Sequence, residues 1–444
     1  MKKGLILFSI ILIGIELLAS VQFANASNSK NDRNEIIVKY KNVTELTTNK
    51  AVNTIKQRLK PQKMERKKLI NQDSSRLEVI TIGKNDDAKS IAQELSKESN
   101  IEFAVPNNKI KLFSVKNGVT GDPLFKLQWG LSNTGQVIAE QKGKRGVDID
   151  ISGAWRITKG SPAVVVGVLD TGIDYKHKDL KKNIYVNKRE KANNKKDDDN
   201  NGYVDDFNGW DFGNDDKSVF DDPYVDEHGT LVAGIIAAES SNRVGISGVA
   251  PKVKILPLKF INFDGGYVSD AIEGIEYAKE KGVTIINCSW GLYKDNEALK
   301  DAIKTANILF VCSAGNDMSD VSELPTYPAC YNLPNIISVA AVNNQGNLCY
   351  FSNYGKGVDV AAPGESIIST FPNNKYEYDD GTSMAVPFVT GVAALLKSIR
   401  PNLTPYQIKQ IIKENVKKSD SLQKYVDSSG VIDANLALGV GTTF

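Results

Sequence analysis

Largely apolar segments alternate with amphipathic helical segments through the middle of the chain, and this alternation limits the possible folds more than any other feature. Segments 163–170, 283–291 and 307–316 are mostly apolar, whereas segments 268–282 and 296–306 carry apolar residues at helical spacing. Strands that are apolar on both faces are typical of parallel sheets covered by helices on both sides. The sequence therefore predicts an α/β fold with a doubly wound, mostly parallel sheet.

Polar side chains stand at the ends of three of these predicted strands. They are Asp170, Ser289 and Asn316. In open parallel sheets, ligands bind at the carboxyl ends of the strands. This edge of the sheet is therefore the expected place for a functional site.

Residues 27–116 show a different pattern, in which short alternating strands surround amphipathic helices. The segments run in the order strand, helix, strand, helix and closing apolar stretch at 34–42, 49–60, 76–84, 87–99 and 101–115. This order predicts a small α+β, ferredoxin-like unit of the β-α-β-β-α-β type. Residues 116–121 are the predicted linker to the rest of the chain.

The first 26 residues are typical of a secretory signal peptide. Lys2 and Lys3 precede an apolar run at 4–15, and residues 24–26 have the small-residue pattern at which signal peptides are cut. An uncleaved membrane anchor is the alternative, although Glu16 interrupts the run. No later segment approaches about 18 consecutive apolar residues. We therefore expect a secreted, extracellular protein without a stable membrane anchor.

The chain thus divides into a signal peptide at 1–26, a small domain at 27–116 and a large domain at 117–444, and the two domains differ in charge. Residues 30–116 contain 19 Lys and Arg against 11 Asp and Glu, a net charge of +8, and residues 117–444 contain 34 against 41, a net charge of −7. Opposite charges favour contact between the domains and do not indicate nucleic-acid binding. Alternatively, the basic segments are only solvated surfaces.

Four cysteines occur, and none belongs to a CxxC pair. They are Cys288, Cys312, Cys330 and Cys349. Neither a zinc site nor a disulfide framework is therefore indicated. Cys330 and Cys349 could pair in an oxidising compartment, but we favour free, buried thiols.

The chain has only two histidines, His177 and His228. This scarcity excludes the HExxH metalloprotease pattern and leaves two candidates for an imidazole base. His228 stands at the start of a predicted helix in the segment DEHGTLVAG. A helix cap or a surface position is the structural alternative for a histidine there.

The segment GTSMAVPFVTGVAALL, residues 381–396, joins a polar turn directly to an apolar helix. A serine at the start of such a helix lies beside free backbone N–H groups, which stabilise negative charge. Pro387 is expected in the first helical turn, where its missing N–H costs little. The helix itself is predicted to be buried.

Three sequence blocks, around Asp170, His228 and Ser383, resemble the signature motifs of the subtilisin-like serine protease family (subtilases, peptidase family S8). The blocks read VLDTGID, HGTLVAG and GTSMAVP, in that family's order of Asp, His and Ser. Further similar segments are SWG at 289–291, SAGN at 313–316, YPA at 327–329 and GVIDANLAL at 430–438. The resemblance extends over residues 120–440.

The resemblance implies a secreted serine endopeptidase that acts through an acyl-enzyme. It assigns Ser383 as nucleophile, His228 as general base, Asp170 as the group that orients the imidazole, and Asn316 as an oxyanion donor. The implied substrate-binding residues are Ser289, Trp290, Gly291, Ser313 and Gly315. Trp290 departs from the smaller aliphatic residue that is common in the family, so the resemblance does not predict the shape of the substrate groove.

The acidic segment 197–206 has the spacing of a calcium loop. Its predicted ligands are Asp197, Asp199, Asn201 and Asp205, with Gly202 at the turn. Asn208 replaces the Glu of an EF-hand at the last position, and a solvated acidic loop is the alternative. The resemblance implies a second structural Ca²⁺ site with Asp122, Asp179 and Asn242, beside which His177 is structural.

The resemblance also implies that residues 27–116 are a propeptide, which acts as an intramolecular chaperone and inhibitor. Its tail is expected in the substrate groove, with self-cleavage between about Ser114 and Asp122. The expected partners of the mature enzyme are protein or peptide substrates, and we expect a monomer.

Two questions stay open at this level. A non-catalytic, secreted calcium-binding or adhesive protein on a protease scaffold is the rival from another class. Within the enzymes, broad degradation and dedicated maturation of one peptide are both compatible with the sequence. The acidic residues near His228 could favour basic substrates or could be solvated; they are Asp221, Asp222, Asp226 and Glu227.

Overall fold

The computed structural model describes residues 34–41, 64–68, 77–112, 115–116 and 123–439. The predicted signal peptide, the first predicted helix at 49–60, most of the linker and Asp122 lie outside the described residues.

The N-terminal unit is a four-stranded antiparallel sheet with a helix on one face. Its elements are β1 (Glu35–Tyr40), β2 (Met64–Lys68), β3 (Leu77–Ile82), α1 (Ala88–Leu95) and β4 (Ile101–Pro106), with the strand order β2-β3-β1-β4. Asp87 begins the helix by accepting a hydrogen bond from Lys89 N at 3.1 Å. The described elements agree with the predicted α+β order.

The larger part of the chain follows, together with the tail of the N-terminal unit. The tail forms β5 (Lys109–Leu112) and β6 (Val115–Lys116). The strands of the larger part are β7 (Val137–Ile138), β8 (Gln141–Lys142), β9 (Val165–Asp170), β10 (Trp210–Asp211), β11 (Lys254–Lys259), β12 (Ile261–Asn262), β13 (Gly265–Tyr267), β14 (Ile285–Cys288), β15 (Trp290–Gly291), β16 (Leu309–Ser313), β17 (Ile336–Val342), β18 (Val360–Pro363), β19 (Ile367–Phe371), β20 (Lys375–Asp380), β21 (Val416–Lys418) and β22 (Gly430–Ile432). Its helices are α2 (Ile151–Ile157), α3 (Glu227–Ala237), α4 (Val268–Glu280), α5 (Glu297–Thr305), α6 (Thr382–Ile399), α7 (Pro405–Glu414) and α8 (Ala434–Gly439).

A nine-stranded sheet is the centre of this larger part. Its order is β10-β11-β9-β14-β16-β17-β18-β22-β21, and every neighbouring pair is parallel except β22 with β21. The predicted doubly wound, mostly parallel sheet is confirmed.

Two separate hydrophobic cores lie on the two faces of this sheet, because successive strand residues point to opposite sides. In β9, for example, Val166 and Val168 belong to the core shared with α3 and α6, whereas Leu169 belongs to the core shared with α4 and α5. Helix α6 is long and apolar enough to cross a membrane, but it is 83% buried inside the protein. It is the predicted central core helix.

The N-terminal unit packs its open sheet face on α4 and α5. Ile37 and Phe103 share a core with Leu299 and Ile303 of α5. The opposite sheet face packs on α1. Lys39 also bonds to Asp301 of α5 at 2.7 Å, so the basic unit contacts the acidic part partly through charge.

The tail of the N-terminal unit continues as two short strands across the surface of the larger part. Strand β5 lies between β13 and β15 and is antiparallel to both, with Gly266 opposite Ile110 and Trp290 opposite Leu112. Strand β6 then pairs with β20, where Val115 lies opposite Asp380. The tail therefore pairs with β15, which directly follows Ser289, and with β20, which ends three residues before Ser383.

Candidate active site

Asp170 and His228 form a buried hydrogen-bonded pair. His228 Nδ1 lies 2.7 Å from Asp170 Oδ1, and the residues are 3% and 0% exposed. Asp170 is the last residue of β9, and His228 is the second residue of α3. An imidazole held by a buried carboxylate in this way has a fixed orientation and tautomer, which a general base requires.

Ser383 is the second residue of α6 and is fully buried. Its Oγ donates to the carbonyl oxygen of Ser289 at 2.9 Å, and Ser289 Oγ donates to the carbonyl oxygen of Ser383 at 2.8 Å. Ser289 directly follows β14, which neighbours β9. The fold thus brings Ser383 to the strand end beside that of Asp170.

Pro387 corrects one expectation from the sequence. Helix α6 begins at Thr382, so Pro387 is its sixth residue and lies inside the helix rather than in the first turn. The missing N–H would have bonded to the carbonyl oxygen of Ser383, four residues earlier. Ser289 Oγ supplies that hydrogen bond instead. The proline and Ser289 therefore act together on the backbone of Ser383.

Asn316 follows β16 and contacts the start of α6. Its Oδ1 accepts hydrogen bonds from Thr382 N at 3.0 Å and from Thr382 Oγ1 at 2.8 Å. Because the backbone N–H can only donate, these contacts fix which amide atom is the oxygen. The buried Nδ2 has no hydrogen-bond partner among the described residues. It is a held donor, as an oxyanion site requires.

Gly315 precedes this asparagine and needs its small size. Its φ is +110°, and a Cβ there would lie 2.4 Å from Asn353 Nδ2. Any side chain at this position would therefore displace the loop that carries Asn316.

The remaining predicted substrate-binding residues contribute mainly through their backbones. Trp290 and Gly291 form β15 and pair with β5. The Trp290 indole is fully buried against Phe260, at 5.2 Å between ring centroids, and its Nε1 donates to Leu169 O at 2.8 Å. Ser313 Oγ donates to Trp290 O at 3.3 Å. The large Trp290 side chain therefore packs inside the core.

The four predicted ligands of the acidic loop do not converge on one point. Asp197 accepts hydrogen bonds from the backbone of Asn201 and Gly202, and Asp205 accepts from Asn194 N, Lys195 N and Lys217. Asn201 Nδ2 donates to Asp206 at 2.9 Å. Of the four, only Asp199 belongs to the acidic cluster that forms here, because the loop folds back on an upstream segment.

That cluster consists of Glu190, Asp199 and Asp206, whose ligand atoms lie within 4.8 Å of one another. Glu190 Oε2 and Asp199 Oδ1 are buried and have no hydrogen-bond partner among the described residues. Lys281 Nζ lies 2.8 Å from Asp206, and Arg189 Nε lies 3.2 Å from Asp199. Burial opposes ionisation of Asp199, yet Asn187, Lys281 and Arg189 hold its pKa below the usual value.

In the second implied calcium set, Asp179 and Asn242 lie side by side, and Asp122 is outside the described residues. Asn242 Nδ2 donates to Asp179 Oδ1 at 2.5 Å, and Tyr376 OH donates to Asp179 Oδ2 at 2.8 Å. His177 is fully buried, accepts from Asp179 N and contacts Lys375 O. Burial lowers its pKa, which fits the expected structural role.

The four cysteines are free thiols. Cys288, Cys312 and Cys349 are buried, and Cys330 is half-buried. Cys288 and Cys312 face each other in β14 and β16, and burial raises the pKa of the Cys288 thiol well above its usual value. The expectation of free thiols agrees with the structure.

Several residues of this region were not indicated by the sequence. Glu190 and Asp206 join Asp199 although they stand outside the calcium-loop spacing. Asn107 and Asn108 cap α4 from the N-terminal unit, because Ser269 N donates to Asn107 Oδ1 and Val268 N to Asn108 O. A polar pair directly after the apolar segment 101–106 was the one signal for this role.

Comparison with known proteins identifies the family. Residues 161–433 match the subtilase family, peptidase S8, and residues 19–107 match the N-terminal prodomain of fervidolysin. The chain is 33% identical over 355 residues to the thermophilic serine proteinase of Bacillus sp. strain AK1, covering 79% of this chain and 75% of that protein. It is 40% identical over 290 residues to the intracellular serine protease of Paenibacillus polymyxa, covering 62% and 81%.

The fold is similar to that of fervidolysin from Fervidobacterium pennivorans, a keratinolytic enzyme related to subtilisin. The TM-score is 0.69 at 22% identity, and the match covers 94% of this chain and 62% of that chain. The chain therefore spans less than two thirds of fervidolysin, and at this identity the likeness concerns the fold. Because the subtilase match covers more than half of the sequence and includes the Asp170, His228 and Ser383 blocks, the chain belongs to the subtilase family of serine endopeptidases and carries an N-terminal prodomain.

Proposed function

We propose that Ser383 attacks the peptide carbonyl, that His228 takes its proton and returns it to the leaving amine, and that Asp170 stabilises the imidazolium. The observation that carries this proposal is the buried 2.7 Å contact between His228 Nδ1 and Asp170 Oδ1. Asn316 Nδ2 is the proposed donor to the oxyanion.

A fluorophosphonate probe tests these roles. It should label Ser383 in the wild type and should fail to label Ser383→Ala and His228→Ala proteins of unchanged thermal stability. A folded wild type that resists labelling would support the rival, a non-catalytic protein on a protease scaffold.

The prodomain is proposed to occupy the substrate groove until it is cut. Strand β5 is added antiparallel to β15, as an extended peptide is added to a sheet edge. Ser383 Oγ contacts the carbonyl of Ser289, the residue before Trp290, and Trp290 lies opposite Leu112. On the catalytic side, β20, which pairs with Val115, ends three residues before Ser383.

We propose self-cleavage between Leu112 and Val115, which overlaps the range expected from the sequence, about Ser114 to Asp122, only at its N-terminal edge; the mature chain would start at residue 113, 114 or 115. N-terminal sequencing of the mature enzyme measures this. A Ser383→Ala protein should keep the prodomain, and a Ser322→Ala control at an exposed serine should mature normally. A mature N-terminus beyond residue 116 would contradict the proposed register.

Secretion is proposed from residues 1–26. The Paenibacillus polymyxa relative is intracellular by name, so the family likeness leaves the location open and the proposal depends on the signal-like sequence. The Ser383→Ala protein, which cannot process itself, should appear in the medium of a secreting host and should begin at residue 27. Retention inside the cell with residue 1 intact would contradict secretion.

A structural Ca²⁺ ion is proposed between Glu190, Asp199 and Asp206. Calcium prefers carboxylate oxygens, and Glu190 Oε2 and Asp199 Oδ1 are buried oxygens without a hydrogen-bond partner among the described residues. Lys281 and Arg189 leave one uncompensated negative charge in the cluster, which a bound cation would balance. The ion would stabilise the fold and would take no part in peptide hydrolysis.

Chelation separates this site from the second set at Asp179 and Asn242. A chelator should lower the melting temperature of the inactive Ser383→Ala protein. Adding Glu190→Gln should remove most of that loss, whereas Glu323→Gln at an exposed position should not. An unchanged melting temperature would argue against structural calcium, and an equal loss with Glu190→Gln would place the ion elsewhere.

Two substrate ranges are proposed for the mature enzyme: many proteins, in broad degradation, or one peptide, in dedicated maturation. The acidic residues near His228 support a preference for basic substrates only weakly. Asp226 is fully buried, and both Asp221 and Asp226 bond to Lys259. Cleavage of a peptide library by the mature enzyme decides between the two.

A further inference from the structure

Lys259 is a buried cation at the end of β11, and it is 1% exposed. Its Nζ lies 2.6 Å from Asp226 Oδ1 and 2.6 Å from Asp221 Oδ1, and 4.0 Å from Asp211 Oδ2. Asp226 and Asp211 are fully buried, whereas Asp221 is partly exposed. A buried ammonium is costly unless it is paired, so three carboxylates around it indicate a built arrangement.

This cluster adjoins the Asp170–His228 pair through both the sheet and helix α3. Lys259 lies beside Asp170 in the parallel register of β11 and β9, and Phe260 N donates to Asp170 O at 3.0 Å. Asp226 is the residue that precedes α3, and His228 is the second residue of that helix. The Lys259–Asp226 bond therefore connects the strand next to Asp170 with the helix that carries His228.

Close backbone packing reinforces the same connection. A Cβ on Gly172 would lie 2.7 Å from Asp226 Oδ1, and a Cβ on Gly229 would lie 2.2 Å from Gly172 O. Gly229 N also donates to Thr171 Oγ1 at 3.0 Å. The turn after Asp170 and the first turn of α3 thus touch backbone to backbone. The Asp226 carboxylate packs against the same turn, at Gly172.

Asp226 also organises the loop before the helix. Its Oδ2 accepts hydrogen bonds from Asp221 N at 2.8 Å and from Asp222 N at 3.1 Å. Burial raises the pKa of Asp226 to about 6 and that of Asp211 to about 7, against the effect of Lys259. Burial alone would lower the pKa of Lys259, but Asp226, Asp221 and Asp211 together raise it. The pair is therefore charged at neutral pH.

We propose that Lys259 and Asp226 are a positioning pair for the subtilase reaction, which holds α3 against β9 and balances the charge next to Asp170 and His228. This inference rests on the proposed roles of those two residues. Among the described contacts, neither Lys259 nor Asp226 touches strand β5 or Ser383. The pair would therefore act through Asp170 and His228. The sequence analysis assigned no role to Lys259.

Opposite charge changes give the proposal a signature that a purely structural pair would lack. Lys259→Met removes a positive charge. Asp226 and Asp211, whose pKa values burial already raises, would then bind a proton more readily and offset part of that change. The remaining negative charge favours protonated His228, so the acidic limb of kcat/KM should move to higher pH. Asp226→Asn removes a negative charge and should move the limb to lower pH. Each shift should be roughly half a unit to one unit, with about a tenfold loss of kcat.

The double variant Lys259→Met/Asp226→Asn restores electrical balance without the bond. Its acidic limb should return close to the wild-type value, while kcat stays low because α3 is less firmly held. Lys259→Arg should keep the wild-type limb. Lys254→Met, at the opposite end of β11, is the matched control and should leave the pH profile unchanged.

All variants are made in the full chain, and active enzyme is counted by fluorophosphonate labelling before the rates are compared. Single variants whose limbs stay unchanged, or move in the same direction, would overturn the proposal. If a single variant fails to fold, the double variant and Lys259→Arg still test it: a displaced limb in either one would contradict charge balance. If the proposed catalytic roles themselves are wrong, the fluorophosphonate probe will not label Ser383 in the wild type. That result is distinct from any change in the pH profile.

Discussion

At the scale of single residues, one hydroxyl group and one side-chain amide hold the start of α6 in place. Ser289 Oγ bonds to the carbonyl that Pro387 leaves without a helical partner, and Asn316 Oδ1 bonds to Thr382. Both contacts involve backbone groups of the first two residues of the helix. The proposed nucleophile, Ser383, is thus held by its backbone, while its Oγ donates to Ser289 O at 2.9 Å.

Removal of the Ser289 hydroxyl should therefore destabilise the protein. Ser289→Ala leaves the buried Ser383 carbonyl without its donor, which should lower the free energy of unfolding by about 1–3 kcal/mol. Ser289→Thr keeps the hydroxyl and should recover most of the loss. Thermal unfolding in a Ser383→Ala background measures both, and equal stability of the Ala and wild-type forms would contradict this account.

Asn316→Ala should reduce kcat by roughly 10² to 10³ with little change in KM. The magnitude is that known for the equivalent donor in subtilisin and is carried over by family likeness. Because Asn316 Oδ1 accepts hydrogen bonds from Thr382 N and Thr382 Oγ1, Asn316→Ala should also lower the free energy of unfolding, by about 1–3 kcal/mol, and kcat is compared at a temperature at which both proteins are folded. A parallel rise in KM would instead indicate a role in binding the substrate.

At the scale of elements, the close approach of α3 to β19 fixes the helix that carries His228. A Cβ on Gly234 would lie 2.2 Å from Thr370 Oγ1 and 3.0 Å from Thr370 N. Thr370 Oγ1 and Ser369 Oγ bond to carbonyls of the same helix, those of Thr230 and Leu231. The helix can therefore shift only if these bonds break.

Gly234→Ala should lower the free energy of unfolding by about 1–3 kcal/mol, because the added methyl group overpacks this contact. Gly439→Ala is the control, since a Cβ there would meet no atom of the described residues within 4 Å. Thermal unfolding of both proteins provides the measurement. A Gly234→Ala protein as stable as the control would show that the helix can move away from β19 without cost.

At the scale of the whole molecule, the prodomain and the catalytic part meet through four kinds of contact. An apolar sheet face packs on α4 and α5, the Asn107–Asn108 pair caps α4, and β5 adds a strand to the groove. Lys39 adds an ion pair across the edge, with Asp301 at 2.7 Å. These contacts explain how a cleaved prodomain could remain bound.

Lys39→Glu should accelerate release of the cleaved prodomain by about two- to fivefold, since a partly exposed ion pair is worth ~1 kcal/mol or less. The time course of activity after self-cleavage measures release. Lys41→Glu, at an exposed residue two positions after Lys39 and just beyond the end of β1, should have a smaller effect. Equal acceleration by both variants would point to overall charge rather than to this contact.

The sequence by itself determined the fold class and the identity of the catalytic candidates. Apolar runs and helical periodicity are local patterns, and they fix which segments are strands and helices and which faces are buried. The Asp170, His228 and Ser383 blocks were recognisable because each is contiguous in the chain.

Only the tertiary structure decided which distant groups meet. Glu190 and Asp206 join Asp199, Trp290 turns into the core, Ser289 compensates for Pro387, and Lys259 pairs with Asp226. Each contact joins residues on separate elements, and its existence depends on the order and register of strands in the sheet. A local pattern along the chain carries no information about that register, so these contacts follow from packing alone.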